Sequence, residues 1–344
     1  MSMKIILDAF GGDHAPLEVL KGAADAVAEY GVTVVLCGDE AKLRQVAGEQ
    51  GISLTGFEFL HADDVITMED EPRSILKAHK DCSMAVGLRA LAAGEGDAFV
   101  SAGSTGALLM GATFLVKRIK GVSRPALGTM MPSGKEPFLL LDMGANVDCR
   151  PEMLLQFAHM GSLYVSETVR PGQPARVALL NVGTEDTKGG ELQHGAFELL
   201  KDSGLDFIGN VEARDVPFGA ADVVVADGFS GNVLLKSMEG MASLVMHSVK
   251  DAMTANVFTK LLAAGLLPHL KGLKSKMDTR TYGGAVLLGV QKPVIKAHGN
   301  SDALAFKNAI RVAADCAKAR LIDKIADALG KQPALSETDA KETD

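Results

Sequence analysis

The chain contains a series of short apolar runs that are nearly continuous instead of alternating with polar residues. They lie at 4–9, 32–38, 97–103, 138–144, 176–183, 206–211 and 222–228. Such runs are typical of strands that are buried on both faces of a parallel sheet. The segments between them, such as 16–31 and 191–204, have apolar residues at helical spacing and end at glycine. This alternation predicts a doubly wound α/β fold.

The length and composition predict one large folded unit. With 344 residues, of which 47% are hydrophobic and 23% are charged, the chain can bury a substantial core. We expect a single α/β domain over 1–330, which carries a helical insertion at about 237–277. The polar segment 331–344 is expected to be a disordered tail.

Sequence signals for export or for membrane spanning are missing, which predicts a cytoplasmic protein. The apolar run at 285–290 is far shorter than the roughly 18–20 residues that cross a bilayer. The N-terminus enters a strand pattern without the architecture of a signal peptide. The cysteines Cys37, Cys82, Cys149 and Cys316 are widely separated, so reduced thiols are expected.

The charge and the aromatic content exclude some classes of function. A net charge of −8 argues against a general nucleic-acid binder, because contacts to phosphates dominate that affinity. With 5% aromatic residues and no tryptophan, the chain also offers few surfaces on which bases stack. The eight histidines are dispersed, and we predict no metal site. Between Phe258 and Arg280, in contrast, five basic residues accompany a single acid, Asp278.

The ends of the predicted strands are rich in glycine and small polar residues. These polar loops are 8–16, 101–107, 142–148, 181–190 and 227–232. Glycine lets the backbone approach a ligand closely, and the helix N-termini that follow such loops attract anions. Each helix dipole contributes only about 0.3–1 kcal/mol at an exposed site, so several must converge. We expect the five loops to meet at one edge of the sheet and to bind a phosphate group. Glycine-rich turns that only connect elements are the alternative.

The familiar nucleotide and hydrolase motifs are absent. The first loop, DAFGGD, is not the GxGxxG fingerprint, and no GxxxxGK[ST] sequence occurs. A GxSxG nucleophile elbow is also missing. Nucleotide binding and a serine nucleophile of the hydrolase type therefore have no support from a motif in this sequence.

Six motifs in order resemble the bacterial phosphate acyltransferase family (PlsX). They are DAFGGDHAP, SAGSTGALLMGA, DMGANVD, NVGTEDTKG, DVPFGAADVVVADGFSGNVLLKSMEG and YGGAVLLGV…VIKAHGNSDA, and the resemblance extends from Lys4 to Leu329. It implies a Rossmann-like α/β/α layered fold, similar to isopropylmalate dehydrogenases and phosphate acetyltransferases, with a protruding helical insertion. It also implies a homodimer in which 1–330 is a catalytic domain.

The resemblance implies a reaction without a cofactor. Acyl-acyl carrier protein and inorganic phosphate give acyl phosphate, which a downstream glycerol-3-phosphate acyltransferase uses for phosphatidic acid and phospholipid synthesis. We expect direct attack of phosphate on the thioester, since no plausible Cys–His pair supplies a protein nucleophile. The alternatives are a short-chain phosphate acetyltransferase-like enzyme, a non-catalytic regulator that binds acyl carrier protein or membrane on the same fold, and an NAD-dependent dehydrogenase related by fold.

Lys188 and Asn232 fall at the positions that are catalytic in the resembling family. The charge of Lys188 can hold phosphate, and the carboxamide of Asn232 can donate a hydrogen bond to an oxyanion, a contribution of about 2.7–4 kcal/mol. From the residues alone, the alternatives are a solvated loop lysine for Lys188 and an ordinary N-terminal helix residue or helix cap for Asn232.

Further loop residues are predicted to bind phosphate or substrate. They are Asp8, Gly11, Gly12, Asp13, His14, Ser101, Gly103, Ser104, Thr105, Asn146, Asn181, Gly183, Thr184, Gly228, Ser230 and Gly231. We expect His14 to form hydrogen bonds and not to act as a general base, because phosphate already carries ionised oxygens at neutral pH.

The helical insertion is predicted to contact a partner. The residues concerned are Phe258, Leu261, Leu262, Leu266, Lys271, Lys274, Lys276 and Arg280. Three interpretations remain open and are compatible: the core of a dimer, peripheral contact with an anionic membrane surface, and docking of the acidic acyl carrier protein.

Overall fold

A computed structural model describes residues 2–260, 263, 265 and 279–330 of the chain. Within these ranges the strands are β1 (Lys4–Asp8), β2 (Thr33–Gly38), β3 (Phe57–His61), β4 (Ala98–Ser101), β5 (Ala126–Met131), β6 (Phe138–Leu141), β7 (Val177–Asn181), β8 (Phe207–Glu212), β9 (Val223–Val225), β10 (Ala285–Leu288) and β11 (Val294–Lys296). The apolar runs predicted as strands correspond to β1, β2, β4, β6, β7, β8 and β9.

Helices connect most of the strands. They are α1 (Leu17–Tyr30), α2 (Glu40–Gln50), α3 (Ser83–Ala93), α4 (Thr105–Gly111), α5 (Pro151–Tyr164), α6 (Glu191–Lys201), α7 (Gly228–Thr254), α8 (Ala303–Lys318) and α9 (Leu321–Gly330). Two of them continue into π-helical segments, Ala112–Lys117 after α4 and Val165–Val169 after α5. Short 3₁₀ turns lie at Pro72–Leu76, Val216–Phe218 and Thr279–Thr281.

The strands pair into an 11-stranded sheet in the order β3-β2-β1-β4-β11-β10-β5-β6-β9-β7-β8. The first five strands in this order are parallel to one another, and so are the last four. Between these groups, β10 is antiparallel to both β11 and β5, and β5 is antiparallel to β6. The two parallel groups therefore run in opposite directions.

This reversal corrects the expectation that all five polar loops meet at one edge of the sheet. The loops after β1 and β4 leave one edge, whereas the loops after β6, β7 and β9 leave the opposite edge. The cause is the antiparallel pairing around β5 and β10, which the pattern of apolar runs did not predict.

Helices cover both faces of the sheet, which explains the continuous apolar strands. Ile5 and Leu7 of β1 point into a cluster that includes residues of α1, α2, α5, α6, α8 and α9. Ile6, between them, points into a second cluster with residues of α3 and α4. A third cluster contains residues of the strands β5 to β9 and packs Leu234 and Leu235 of α7 onto them. The α/β/α layering predicted from the sequence is confirmed.

The helix α7 packs against the body only through its first turns. Its buried residues are Gly228, Gly231, Leu234 and Leu235, and the part from Lys236 to Thr254 has none. Exposed apolar side chains continue through this part to Phe258, which is 70% exposed. The predicted protruding helical insertion therefore begins as an extension of α7.

Several predicted contacts of the insertion lie outside the described residues. They are Leu261, Leu262, Leu266, Lys271, Lys274 and Lys276, and the predicted tail at 331–344 lies outside as well. Among the described helices, none combines the length and the apolar character that crossing a membrane requires.

Candidate functional site

A cleft with a volume of about 980 Å³ lies over the antiparallel strands in the middle of the sheet. Leu127 of β5 and Ala285 of β10 line it and belong to the cluster with α3 and α4. Met131 and Leu235 line it from the cluster with α7. The cleft therefore lies between the two groups of helices on this face, where loops from both edges of the sheet reach it.

The wall of the cleft has an apolar part and a polar part. The apolar part contains Met68, Leu127, Met131, Met143, Leu235 and Ala242. The polar part contains Asp13, Thr105, Thr129, Asn232, Lys236, Glu239, Arg280, Lys296, His298, Asn300 and Ser301. Such a wall suits a ligand that combines a hydrocarbon chain with an anionic group.

The turn after β6 is organised by Asp142, which is fully buried. Its Oδ1 accepts hydrogen bonds from the backbone N–H groups of Leu127, Gly144 and Ala145, at 3.0, 3.3 and 3.1 Å. Its Oδ2 accepts from the backbone N–H and the side-chain amide of Asn146, at 2.7 and 2.9 Å. Burial raises the pKa of Asp142, against the effect of these donors. Asp142 and Asn146 thus form a rigid support for the cleft.

The start of α7 packs tightly onto this turn. Asp227 caps the helix, and its Oδ1 accepts a hydrogen bond of 2.8 Å from the backbone N–H of Ser230. A Cβ atom at Gly231 would lie 1.9 Å from the backbone oxygen of Asp142. Only glycine therefore allows the helix to approach the turn this closely.

Asn232 follows directly and lines the cleft. Its Cγ lies 3.8 Å from the position that a Cβ atom would take at Gly144. The side chain is exposed, and its carboxamide makes no hydrogen bond with any described residue. It is therefore available to donate a hydrogen bond to a ligand.

The loops after β1 and β4 are joined by Asp8, which is 1% exposed. Its carboxylate accepts hydrogen bonds from the hydroxyl groups of Ser83 and Ser101, at 2.6 and 2.7 Å. The backbone N–H of Gly103 donates to the Ser101 hydroxyl at 3.0 Å. A Cβ atom at Gly11 would lie 2.5 Å from Oδ2 of Asp8. Burial raises the pKa of Asp8. Since Asp8, Ser83 and Ser101 are all buried, their network is a support behind the cleft.

Lys296, at the end of β11, lines the cleft although it is only 7% exposed. Its Nζ donates a hydrogen bond of 3.1 Å to the backbone oxygen of Ala102 and another to that of Ala297. No carboxylate oxygen of the described residues lies within 4.0 Å of this ammonium group. Burial lowers its pKa to about 8, while the charges of Asp8 and Asp13 oppose the shift.

Ser301 is another polar residue of the cleft that the sequence did not predict. It is 4% exposed, and its backbone N–H donates to the oxygen of His298 at 3.0 Å. Its hydroxyl group makes no hydrogen bond with any described residue. Both Lys296 and Ser301 belong to the segment VIKAHGNSDA, so the motif marked the segment but not these two side chains.

Lys188 lies on the loop after β7 and does not line the cleft. The side-chain amide of Asn181 donates to the backbone oxygen of Lys188 at 3.0 Å and so holds the loop. The Cγ of Lys188 lies 2.9 Å from the position of a Cβ atom at Gly183, so its stem crosses this glycine. The loop leaves the same edge of the sheet as Asn232, because β7 and β9 are parallel neighbours.

The structure brings four of the predicted site and contact residues to the cleft wall, namely Asp13, Thr105, Asn232 and Arg280. Arg280 pairs there with Asp302, at 2.5 Å between Nη1 and Oδ2. The other described residues of the prediction do not line this cleft: Asp8, Gly11, Gly12, His14, Ser101, Gly103, Ser104, Asn146, Asn181, Gly183, Thr184, Lys188, Gly228, Ser230, Gly231 and Phe258.

Solved structures with this fold include two phosphotransacetylases. The EutD phosphotransacetylase from Staphylococcus aureus has a TM-score of 0.60 at 20% identity, and the match covers 92% of this chain and 94% of that one. A phosphotransacetylase from Streptococcus pyogenes has a TM-score of 0.58 at 17% identity, with 96% and 95% covered. At these identities the likeness shows the fold alone, and it confirms the predicted resemblance to phosphate acetyltransferases in architecture.

Curated relatives are much closer in sequence. The phosphate acyltransferase of Geobacillus thermodenitrificans is 50% identical over 315 residues, which cover 90% of this chain and 94% of the relative. That of Oceanobacillus iheyensis is 49% identical over 314 residues, which cover 90% and 92%. These relatives confirm the resemblance to phosphate acyltransferases and the prediction of an enzyme. Residues 3–324 also match the family described as "Fatty acid synthesis protein". The chain therefore belongs to this family of fatty acid synthesis proteins, as a relative of its phosphate acyltransferases.

Proposed function

We propose that this protein transfers a long-chain acyl group from acyl-acyl carrier protein to inorganic phosphate. A phosphate oxygen attacks the thioester carbonyl carbon, a C–O bond forms and the C–S bond breaks. The proton of hydrogen phosphate passes to the departing thiolate, so the products are acyl phosphate and the carrier thiol. Acyl phosphate then serves a downstream glycerol-3-phosphate acyltransferase in phosphatidic acid and phospholipid synthesis.

The observation that carries this proposal is the position of Asn232. Its unbonded carboxamide stands at the cleft, near the apolar wall formed by Met143 and Leu235. An acyl chain along the apolar wall would bring the carbonyl toward a neutral donor, which stabilises an oxyanion without acting as a base. We assign oxyanion stabilisation to Asn232.

Lys188 has a separate role in this proposal. It is exposed at the sheet edge that carries Asn232, on a loop held by Asn181. The exposed ammonium group of Lys188 can offset the negative charge that develops in the transition state when the substrate binds across this edge of the sheet. We assign Lys188 to this stabilisation, in agreement with the family resemblance.

The test is an assay with purified protein, long-chain acyl-acyl carrier protein and inorganic phosphate. We expect acyl phosphate from the wild type and a rate lowered by about 10²–10³ in Asn232→Ala, since one oxyanion donor is lost. Lys188→Ala should also lower the maximal rate. Lys201→Ala, at the exposed end of α6 and away from the cleft wall, is the matched control for Lys188→Ala and should keep the wild-type rate.

The donor is tested by replacing acyl carrier protein with short-chain and long-chain acyl-coenzyme A. A clear preference for a short-chain donor would replace the proposal with a phosphate acetyltransferase-like activity. If the wild type forms no acyl phosphate but still binds acyl carrier protein, a non-catalytic regulator becomes the better explanation.

We further propose that the protein is a cytoplasmic homodimer that touches an anionic membrane surface. The support is the protruding part of α7, whose apolar side chains include Met241 and Leu244, both 58% exposed. An isolated chain would leave this apolar surface in water, and a partner subunit or a bilayer surface can cover it.

A further inference from the structure

The cleft contains a buried cation that the proposed reaction has not yet used. Lys296 is 7% exposed and donates to the backbone oxygens of Ala102 and Ala297. Neither acceptor is an anion, and an ammonium group has three protons to donate. Buried lysines are rare unless an opposite charge accompanies them. The third proton and the charge of Lys296 are therefore available to an anion in the cleft.

The surroundings of Lys296 favour an external anion over an internal one. Asp8 and Asp13 influence it electrostatically, but both lie beyond ion-pair distance. Asp8 is already bonded to the hydroxyl groups of Ser83 and Ser101. Burial lowers the pKa of Lys296 to about 8, which leaves it charged at neutral pH without a neutralising partner. A bound anion would restore the balance.

A second, independent observation comes from Ser301. It lines the same cleft, it is 96% buried by its 4% exposure, and its hydroxyl group has no hydrogen-bond partner among the described residues. Its hydroxyl oxygen is not among the fully buried unpaired atoms, so it is open to the cleft and can donate to a ligand that accepts hydrogen bonds. Phosphate oxygens are such acceptors, and they attract the ammonium group as well.

We propose that Lys296 and Ser301 form the anion subsite of the cleft and hold the inorganic phosphate that attacks the thioester. This inference rests on the proposed acyl transfer. It assigns ground-state binding of phosphate to Lys296 and leaves Lys188, which lies outside the cleft wall, with stabilisation of the transition state. A phosphate ester on the acyl donor would suit the same groups chemically, and kinetics distinguish the two sources.

The test measures the KM for phosphate and the KM for the acyl donor in Lys296→Met. We expect the KM for phosphate to rise about tenfold or more, because a bond from a charged donor is lost. The KM for the acyl donor should stay within about twofold of the wild type. Lys296→Arg, which keeps the charge, should recover part of the affinity for phosphate. A rise in the KM for the donor alone would assign the subsite to the donor and overturn the proposal.

The matched control is Lys292→Met, which removes a lysine near the start of the same strand, away from the cleft wall. It should leave both KM values unchanged. If folded Lys296→Met behaves like this control, the proposal is wrong.

Ser301→Ala keeps the test informative should Lys296→Met fail to fold. Its hydroxyl has no partner to lose, so folding should be unaffected. We expect a rise of about two- to tenfold in the KM for phosphate, the effect of one neutral hydrogen bond. An unchanged KM would contradict the subsite.

Calorimetric binding of inorganic phosphate separates this inference from the proposed function. Loss of phosphate binding in Lys296→Met would support the subsite even if the wild type transfers no acyl group. Conversely, if Lys296→Met catalyses the reaction normally and binds phosphate as the wild type does, the proposed subsite is wrong and the proposed function is unaffected.

Discussion

Asn232 and Lys296 face the same cleft with opposite kinds of support. Asn232 is exposed near the start of α7, and the backbone beneath it fixes its position, where Gly231 meets Asp142. Lys296 is held by its own hydrogen bonds to Ala102 and Ala297. The side chain of Asn232 is therefore free to move with a reacting group, whereas the ammonium group of Lys296 is held in one position.

We predict that the affinity for phosphate falls as the pH rises through about 8, the lowered pKa of Lys296. Below this value the lysine is protonated and binds the anion; above it the lysine becomes neutral. Phosphate itself gains negative charge with rising pH, so its own ionisation would act in the opposite direction. Asp8, Asp13, Lys236, Glu239, Arg280 and His298 are the other ionisable groups at or near the cleft among the described residues.

The measurement is the KM for phosphate from pH 6 to about 9.5, at constant ionic strength. Lys296→Arg should lack the loss near pH 8, since arginine stays charged. The same inflection in this variant would show that another group is responsible.

Lys296 illustrates why part of the site escaped prediction. At the end of the run VIK, a lysine is most simply interpreted as the exposed end of a strand. Its burial depends on Ala102, which directly follows β4 and is 194 residues away in the sequence. The place of Asn232 near the start of a helix was predictable because its helix cap and glycines are its neighbours in sequence, in DGFSGN, whereas its catalytic role stays a prediction from the family resemblance.

The helix α7 combines a tightly packed start with an exposed continuation. Replacing one glycine by alanine in each part tests this difference in packing. Gly231→Ala should lower the free energy of unfolding by about 3 kcal/mol or more, because the new Cβ would meet the oxygen of Asp142 at 1.9 Å. Gly240→Ala, in the same helix, should raise it by about 0.5–1 kcal/mol, since nothing lies within 4 Å of the new Cβ. Urea unfolding of both variants gives the comparison. Equal effects would mean that α7 does not pack on the turn at Asp142.

The exposed continuation of α7 carries an apolar stripe formed by Met241, Leu244, Val245 and Val249. Leu244→Glu should change the free energy of unfolding within the chain by less than about 0.5 kcal/mol, because the side chain is 58% exposed. It should weaken self-association in sedimentation equilibrium, binding to anionic vesicles, or both. Ser243→Glu, on the other side of the helix, is the control and should do neither. Identical behaviour of the two variants would remove any role of the stripe.

Some elements were visible in the sequence and others were not. The buried parallel strands have long runs of branched apolar residues, and these were found. The apolar residues of β11 stop at Lys296 after Val294 and Ile295, and β3 at the edge of the sheet has no buried residue, so neither forms such a run. Strand β5 contains Gly128 and two methionines, which are weak strand signals. Strand direction depends on which strands become neighbours, and local pattern carries no information about that.

The whole molecule brings two oppositely directed parallel groups together around one cleft. Thr105 and Lys296 come from one group, and Gly144 and Asn232 come from the other. A ligand bound between them should stabilise the entire chain against unfolding. At a phosphate concentration of about 100 times Kd, mass action gives about 2.7 kcal/mol. We predict one thermal transition that shifts upward by several degrees.

Differential scanning calorimetry with phosphate, and with chloride at equal ionic strength, measures this effect. Lys296→Met should lose the shift that is specific to phosphate. A shift confined to one of two separate transitions would show that the cleft does not join the groups energetically.

The place of β11 in the sheet has a consequence for synthesis on the ribosome. This strand joins β4 to β10 in the middle of the sheet, yet it is made after every other described strand. Until residues 294–296 have left the exit tunnel, β1–β4 can form only a separate four-stranded piece, with a bare edge where β11 will insert. Chains grow at about 5–20 residues per second, so this edge stays open for many seconds. A nascent chain of this protein is thus a natural client for factors that shield strand edges during translation.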